Sequence, residues 1–208
     1  VRFFVTPERP LVDFLEDWTA THEFAHLLLP YVEERWISEG FASYYQNVLL
    51  ARRGVYSEQE VWERFVRSFH RAGKLENPPA PVDTWRRPFW EVRLLIYWSG
   101  AALALLTDTA LREASDGEET LDDVLARLQS CCLPSNRIWE AEVLFEQLDT
   151  LTDYPVFAKL YARHAHRKGM PDMAQALRYL GVSVDDGIVT LDDQAAGADV
   201  RRAIMAGE

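Results

Sequence analysis

The chain has few of the residues that would crosslink it or hold it in a membrane. Its 208 residues include only two cysteines, Cys131 and Cys132. Adjacent cysteines make a poor start for an ordinary disulfide framework, so we expect free or buried thiols that do not bind metal. No uninterrupted apolar run reaches the ~18 residues of a membrane span, and no signal peptide is visible. We expect no membrane span, and the compartment stays open because a chain that begins with valine can be part of a longer protein.

Positive charge is also scarce. Lysine and arginine number 22 against 33 aspartates and glutamates, which gives a net charge of -11 and a pI near 4.9. This balance argues against binding to nucleic acid or to anionic membranes. An acidic surface mostly indicates solubility. With 48% hydrophobic residues, the chain is long enough to bury one sizeable core.

One short motif carries the chemistry that the sequence indicates. His22 and His26 are four residues apart, so that on a helix both imidazoles lie on the same face. Glu23 follows His22 directly and projects toward the same cavity, beside a metal rather than onto it. A hydrolytic zinc site takes three protein ligands and keeps one position for water, whose proton a neighbouring carboxylate accepts. The H-E-x-x-H spacing therefore predicts two zinc ligands and a general base.

The neighbours of the two histidines favour this interpretation over a structural one. A buried pair of histidines is often only a hydrogen-bonded part of a core, and the motif also arises by chance. Here apolar residues lie before, between and after the two histidines at helical spacing. This spacing predicts the apolar stripe of a buried helix. An apolar surrounding of this kind sharpens metal chemistry. The stripe consists of Leu11, Phe14, Leu15, Trp18, Ala25 and Leu29.

The third ligand is expected from a second helix. Pro30 ends the first helix soon after the motif, and a second helix is predicted to run to about residue 53. Two helices joined in this way can bring a carboxylate of the second onto a metal held by the first. Glu39 is the best candidate, because Gly40 beside it costs roughly 1 kcal/mol in a helix and usually marks a close approach to the backbone. The alternatives are Glu33 and Glu34, but acids at the start of a helix are more typically solvated.

The residues after the motif resemble a known group of enzymes. The stretch from Trp36 to Tyr45, WISEGFASYY, resembles the W-x-x-E-G-F-A-x-Y-Y of the gluzincin metallopeptidases. The nearest groups are the M61 glycyl aminopeptidase family and the M1 aminopeptidases. Residues 97–100, YWSG, are similar to the Y-x-K-G that carries the transition-state tyrosine in these enzymes, with serine in place of lysine. Residues 121–128 and 180–182 also resemble the helical half of the M61 domain, so that the similarity spans roughly residues 15–182.

This resemblance implies a zinc-dependent peptidase, aminopeptidase-like, that acts on a peptide or protein substrate. It implies that Zn²⁺ is bound by His22, His26 and Glu39, that Glu23 is the general base, and that Tyr97 stabilises the oxyanion. It also implies the fold, which is the mainly α-helical lobe of a thermolysin-like gluzincin domain preceded by a β lobe. No substrate-binding residue is assigned.

A second hypothesis is a non-catalytic scaffold or interaction module derived from a peptidase domain. Only the 12 residues 27–38 separate His26 from Glu39, a shorter spacer than in M1 or M61 enzymes. The serine at position 99 and the apparently missing β lobe favour the same hypothesis. The intact H-E-x-x-H speaks against it.

Periodicity and turn residues predict the remaining elements, and they are mainly helical. We expect residues 1–182 to form the peptidase helical domain and residues 183–208 a C-terminal hairpin and tail. The predicted elements are a short strand over Val1–Val5, helices opened by Ser57 and by Thr120, a long helix from Trp90 to Ala114, helices over 138–148, 153–169 and 171–181, a hairpin over 182–191 that turns at Asp186-Gly187, and a short helix over 199–205.

Two further features leave alternatives open. Residues 76–88 hold four prolines and are predicted to form an irregular loop, in which Trp85, Arg86 and Arg87 either contact substrate or anchor a covering loop. Tyr97 lies on the buried stripe of its helix, so its hydroxyl needs a polar partner. A metal-bound oxyanion and a backbone carbonyl satisfy the pattern equally, and the family resemblance favours the oxyanion.

Overall fold

The protein is mainly α-helical over the residues that the structure, a computed structural model, describes: residue 6 and residues 8–15 and 17–207. The strand expected at Val1–Val5 lies outside these residues. One small antiparallel hairpin near the C-terminus accompanies the helices. The elements are α1 (Leu11–Leu15), α2 (Trp18–Ala25), a 3₁₀ helix (His26–Leu28), α3 (Arg35–Arg52), α4 (Glu58–Gly73), a second 3₁₀ helix (Pro81–Arg86), α5 (Phe89–Ala114), α6 (Leu121–Cys132), α7 (Ala141–Asp149), α8 (Phe157–Ala165), α9 (Ala174–Tyr179), β1 (Val182–Asp185), β2 (Ile188–Leu191) and α10 (Ala198–Ala206).

Helices α3 and α5 form the centre of the core and touch through their backbones. A Cβ placed on Gly40 of α3 would lie 2.2 Å from the Cα of Gly100 in α5. A Cβ placed on Gly100 would lie 1.8 Å from the carbonyl oxygen of Trp36. Only glycine fits at either position. The close approach predicted from Gly40 is therefore confirmed, and its partner is the glycine of the Y-x-x-G motif.

Helix α5 is long and apolar enough, by length and composition alone, to cross a membrane. Its apolar residues do not form one uninterrupted run, because polar residues such as Ser99, Thr107 and Asp108 stand between them. Of its most apolar window, 72% is buried inside the protein. Two of the polar side chains bond back to the helix, Ser99 to the carbonyl of Leu95 (2.6 Å) and Thr107 to that of Leu103 (2.8 Å). Its composition is thus that of a core helix.

A buried carboxylate joins three helices at the far end of α5. Asp108 accepts hydrogen bonds from the hydroxyl of Tyr44 on α3 (2.5 Å), from Nε of Arg112 (3.1 Å) and from the backbone N–H of Leu121 at the start of α6 (3.1 Å). Burial, together with the Asp108 charge, raises the pKa of Tyr44 well above its ordinary value. The network fixes α3, α5 and α6 relative to one another.

The C-terminal elements pack against the same helices. The predicted hairpin is confirmed, and its turn residues Asp186 and Gly187 both have positive φ (49° and 81°), as a type I′ turn requires. The predicted helix at 199–205 is confirmed as α10. Its buried Arg201 binds the Glu58 carboxylate (2.7 Å) and the carbonyl oxygen of Asp192 (3.0 Å), which ties α10 to α4 and to the end of the hairpin.

The single buried helix expected before Pro30 is wrong in two respects. The chain forms two helices, because the Asp17 side chain accepts a hydrogen bond from the N–H of Thr19 (2.7 Å) and caps a new helix. The stripe is also partly exposed, with 70% of Leu11 and 49% of Trp18 open to solvent. The periodicity was correct around the histidines and did not extend upstream.

Other differences concern the loop and the later helices. The predicted irregular loop contains the 3₁₀ helix Pro81–Arg86, which begins with proline at a position where no N–H is needed. The predicted helices at 153–169 and 171–181 are present but shorter, because prolines and turn residues occupy their ends. The helix predicted at 138–148 begins only at Ala141, after Trp139 has formed a bridge to Val32. The capped helices, α4 and α6, have the predicted starts and both show a complete capping box.

The expectation of free cysteines is wrong. Cys131 and Cys132 form a disulfide between adjacent residues. The two cysteines are the last residues of α6, and the residue after them, Leu133, has an extended backbone.

Candidate metal centre

Three side chains from two helices and the turn between them converge on one point. His22 lies on α2, His26 at its C-cap, and Glu39 on α3. Nε2 of His22 is 3.2 Å from Oε2 of Glu39, and Nε2 of His26 is 3.8 Å from the same oxygen. One ligand atom from each residue lies within 4.8 Å of the other two. The imidazole rings are perpendicular, with centroids 5.0 Å apart.

This geometry fits a divalent zinc ion. Tetrahedral zinc with bonds of about 2.0–2.1 Å to nitrogen and oxygen holds its ligand atoms roughly 3.3 Å apart. The two nitrogen-to-oxygen distances in the site are 3.2 and 3.8 Å. Two imidazoles with one carboxylate are also a donor set of catalytic zinc, in which the fourth position is left to water.

Both histidines are oriented by side chains of α3. Nδ1 of His22 lies 3.2 Å from Oε1 of Gln46, and Nδ1 of His26 lies 3.2 Å from Oγ of Ser38. When each ring donates its Nδ1 proton to that partner, Nε2 keeps its lone pair on the side of Glu39. Such partners fix the tautomer and the direction of a ligating histidine. Sequence reasoning missed both residues, although Gln46 follows Glu39 by two helical turns on the same face.

Burial and charge keep the candidate ligands in the protonation states that metal binding needs. His22 is only 4% exposed. Burial lowers the pKa of His26, which favours the neutral ring. Burial opposes the ionisation of Glu39, but the hydrogen bond with His22 and the charges of both histidines together hold the pKa of this carboxyl below its usual value.

Tyr97 of α5 reaches the same centre. Its ring stacks on that of His22, with centroids 5.8 Å apart and planes 20° apart. Its hydroxyl lies near the Glu39 carboxylate, whose charge acts on it. Burial, with the charge of Glu39, raises the pKa of Tyr97 to about 12. The phenol is therefore a protonated donor at neutral pH.

Glu23 is half-buried and lies close enough to act on two of these groups. Its negative charge raises the pKa of Tyr97 and opposes the lowering of the pKa of His26. Among the described residues it makes no hydrogen bond to either imidazole, as expected of an acid beside the metal position rather than on it.

The alternative acids lie elsewhere. Glu33 is exposed at the start of α3. The Glu34 carboxylate accepts a hydrogen bond from the backbone N–H of Ala141 (2.8 Å) and thereby helps to hold the start of α7. Ser99, in the place of the family lysine, is buried against its own helix and does not face the centre.

A cleft of about 690 Å³ lies beside the start of α5. Phe89 lines this cleft, and its ring centroid is 6.5 Å from that of Tyr97. Trp85 and Arg87, two of the loop residues that sequence reasoning singled out, also line it, whereas Arg86 pairs with Asp83. Arg87 is held by the Glu91 carboxylate (2.7 Å). The cleft thus joins the proline-rich segment to the neighbourhood of the metal centre.

Comparison with known proteins locates a family in the first part of the chain. The family model described as M61 glycyl aminopeptidase matches residues 19–80. The matched segment holds the H-E-x-x-H motif and Glu39, whereas Tyr97 and Gly100 lie beyond it. Comparison with curated proteins gave no match. The M61 family is zinc-dependent. The resemblance found from the residues is confirmed over this segment, since residues 19–80 match the model of the M61 glycyl aminopeptidase family.

Proposed function

We propose that the protein is a zinc-dependent peptidase of gluzincin type, aminopeptidase-like, which hydrolyses a peptide bond of a peptide or protein substrate. The observation that supports it is the convergence of His22, His26 and Glu39 with spacing suited to one zinc ion. The helices around them would be the helical lobe of a thermolysin-like domain, over residues 1–182. Residues 183–208 would form its C-terminal hairpin and tail.

In this proposal, the residues of the chain divide the chemistry between them. Zinc held by His22, His26 and Glu39 would supply a Lewis acid and lower the pKa of water toward neutrality. Glu23 accepts a proton from the attacking water and delivers it to the leaving amine. Tyr97 donates a hydrogen bond to the oxygen of the carbonyl as negative charge develops there.

The position of the Tyr97 hydroxyl supports this division. Without substrate, the hydroxyl lies near the carboxylate of Glu39. An oxygen that becomes negatively charged beside the metal position offers the same donor a second acceptor nearby. The raised pKa keeps the proton on the phenol throughout, so Tyr97 acts as a hydrogen-bond donor and not as a base.

The test combines metal analysis with turnover of a panel of peptides and aminoacyl substrates. The wild-type protein should bind one equivalent of zinc. His22→Ala should bind none, because it loses a ligand and its oriented ring. Glu23→Gln should keep zinc but lose turnover by a factor of about 10²–10⁴, the usual contribution of a general base. His70→Ala is the matched control, since His70 is an exposed histidine on α4, and both zinc content and turnover should be unchanged.

Two results would contradict the proposal. One equivalent of zinc still bound to His22→Ala would overturn the ligand set. Turnover by Glu23→Gln equal to that of the wild type would remove Glu23 as the base.

A non-catalytic zinc module is the second candidate, and one observation favours it. Ser99 replaces the lysine of the family motif and turns to its own helix, so α5 brings no positive charge from this position to the centre. Zinc bound by the wild-type protein, together with no turnover of any substrate in the panel, would support this candidate.

A further inference from the structure

The disulfide at the end of α6 lies outside the proposed catalytic machinery but within reach of solvent. Cys131 and Cys132 are the last two residues of α6. Cys131 is exposed and lines an open cavity of about 640 Å³ together with Arg127, Ser130 and Leu151. A small thiol reagent can therefore reach its sulfur.

The residues just before the disulfide contact the spacer between the candidate ligands. Nε2 of Gln129 donates a hydrogen bond of 2.7 Å to the carbonyl oxygen of Leu27. Leu27 follows His26 directly in the sequence and lies in the same 3₁₀ helix. The end of α6 is thus attached to the turn that carries a candidate ligand.

The residues just after the disulfide contact the other end of the spacer. The N–H of Trp139 donates to the carbonyl of Tyr31, and the N–H of Glu33 donates to the carbonyl of Trp139, both at 2.9 Å. Trp139 is buried, and its indole N–H donates to Oγ of Ser135 (2.9 Å), while the Arg137 guanidinium lies 3.8 Å from its ring centroid. Residues 135–139 therefore form one small unit, which is hydrogen-bonded to the spacer through Trp139.

The spacer depends on these contacts. Residues 27–33, the first part of the spacer, join His26 to the start of α3, on which Glu39 lies. In the described part of the chain, the hydrogen bonds by which residues 27–33 reach another segment are those to Gln129 and to Trp139. The disulfide lies between these two attachments, at the point where α6 ends and residues 133–139 begin.

We propose that Cys131 and Cys132 are a reversible redox pair that controls the metal centre through the spacer. The intact bridge restrains the backbone of Cys131 and Cys132, through which the two attachments are connected. Reduction opens the ring and frees this connection, which loosens the spacer and weakens metal binding. This regulation rests on the proposed zinc function.

The chemistry needs only a dithiol as the co-reactant. A thiolate of the dithiol attacks Sγ of the exposed Cys131, the bond between the two protein sulfurs breaks, and Cys132 leaves as a thiolate that takes up a proton. The second thiol of the reagent then attacks the mixed disulfide and releases Cys131. Two electrons and two protons pass from the dithiol, which becomes a cyclic disulfide, to the protein pair.

The experiment compares three forms of the full chain: air-oxidised, reduced by dithiothreitol that is then removed anaerobically, and a Cys131→Ser/Cys132→Ser variant. Thiol titration counts free cysteines, hydrogen exchange follows the amides of Glu33 and Trp139, and competition with a chelator gives the Kd for zinc. The oxidised protein should show no free thiol and the reduced protein two. In the reduced protein and in the variant, exchange of both amides should be about tenfold faster, and the Kd for zinc about tenfold higher.

The variant is also the matched control, because reductant should not change its exchange rates or its Kd. Free thiols in the air-oxidised protein would overturn the proposal, as would equal exchange rates and equal zinc Kd in all three forms. If no form binds zinc but exchange still accelerates on reduction, the proposed function fails and the link between the pair and the spacer stands. If all forms bind zinc with one Kd, the proposed zinc site stands and the control by the pair fails.

Discussion

Replacement of Gly100 by alanine tests whether the contact between α3 and α5 determines the geometry of the candidate centre. The new Cβ would lie 1.8 Å from the carbonyl oxygen of Trp36 and 2.8 Å from the Cα of Gly40. Ordinary van der Waals contact begins near 3.4 Å, so the two helices must separate by roughly 1.5 Å. Both obstructing atoms belong to the backbone, and no side-chain rotation can relieve the clash.

The separation should lower both stability and turnover. Overpacking of a core costs about 1–3 kcal/mol, and we expect about 3 kcal/mol because whole helices must move. In a chain of this size, that corresponds to a fall in Tm of about 6–12 °C. Tyr97 moves with α5 away from Glu39 on α3, and a misplacement of about 1 Å can cost on the order of 10²-fold in rate. We therefore expect kcat to fall by a factor on the order of 10².

Thermal unfolding followed by circular dichroism gives Tm, and turnover of the best substrate in the panel gives kcat. Gly73→Ala is the matched control. Gly73 is also a helical residue, the last of α4, but no atom lies within 4 Å of a Cβ added to it. Its Tm should stay the same or rise slightly. If Gly100→Ala unfolds at the same temperature as Gly73→Ala and turns over as fast, the helix contact does not determine the centre.

Three further predictions concern single side chains. Tyr97→Phe should lower kcat by a factor of order 10²–10³ with unchanged zinc content, since removing an oxyanion donor costs about 3 kcal/mol, and unchanged kcat would take Tyr97 out of the mechanism. Gln46→Leu should raise the Kd for zinc by about 10–100-fold, because His22 loses the partner that orients it, and a chelator competition that gives the wild-type Kd would contradict this role. Ser57→Ala should cost about 1 kcal/mol in the free energy of unfolding measured in urea, because the capping box of α4 is lost, whereas a change near zero would show that the box contributes nothing.

Local sequence rules predicted the elements whose signals are local. The caps at Ser57 and Thr120 mark α4 and α6 with the correct first residues, because a cap is a contact over three residues. The turn at Asp186-Gly187 was equally predictable, since its backbone requires positive φ at both residues. Asp17 carries the same kind of signal, yet it was missed because the apolar periodicity on both sides suggested one continuous helix.

The candidate centre was predictable in its ligands but not in their supports. The spacing of His22 and His26 and the glycine after Glu39 pointed to residues that the structure brings together. The roles of Ser38 and Gln46 depend on how α2 lies across α3, which no single segment encodes. The disulfide was missed because adjacent cysteines rarely pair and nothing in the local sequence signals that these two do.

Helix α3 carries one candidate ligand and both side chains that aim the other two. Ser38, Glu39 and Gln46 all lie on this one helix, so a shift or rotation of α3 changes all three contacts together. A displacement of α3 therefore alters the support of both histidines together, whereas a change in one supporting side chain alters the support of only one. A change that displaces the whole helix should accordingly weaken zinc binding more than the loss of Ser38 or Gln46 alone.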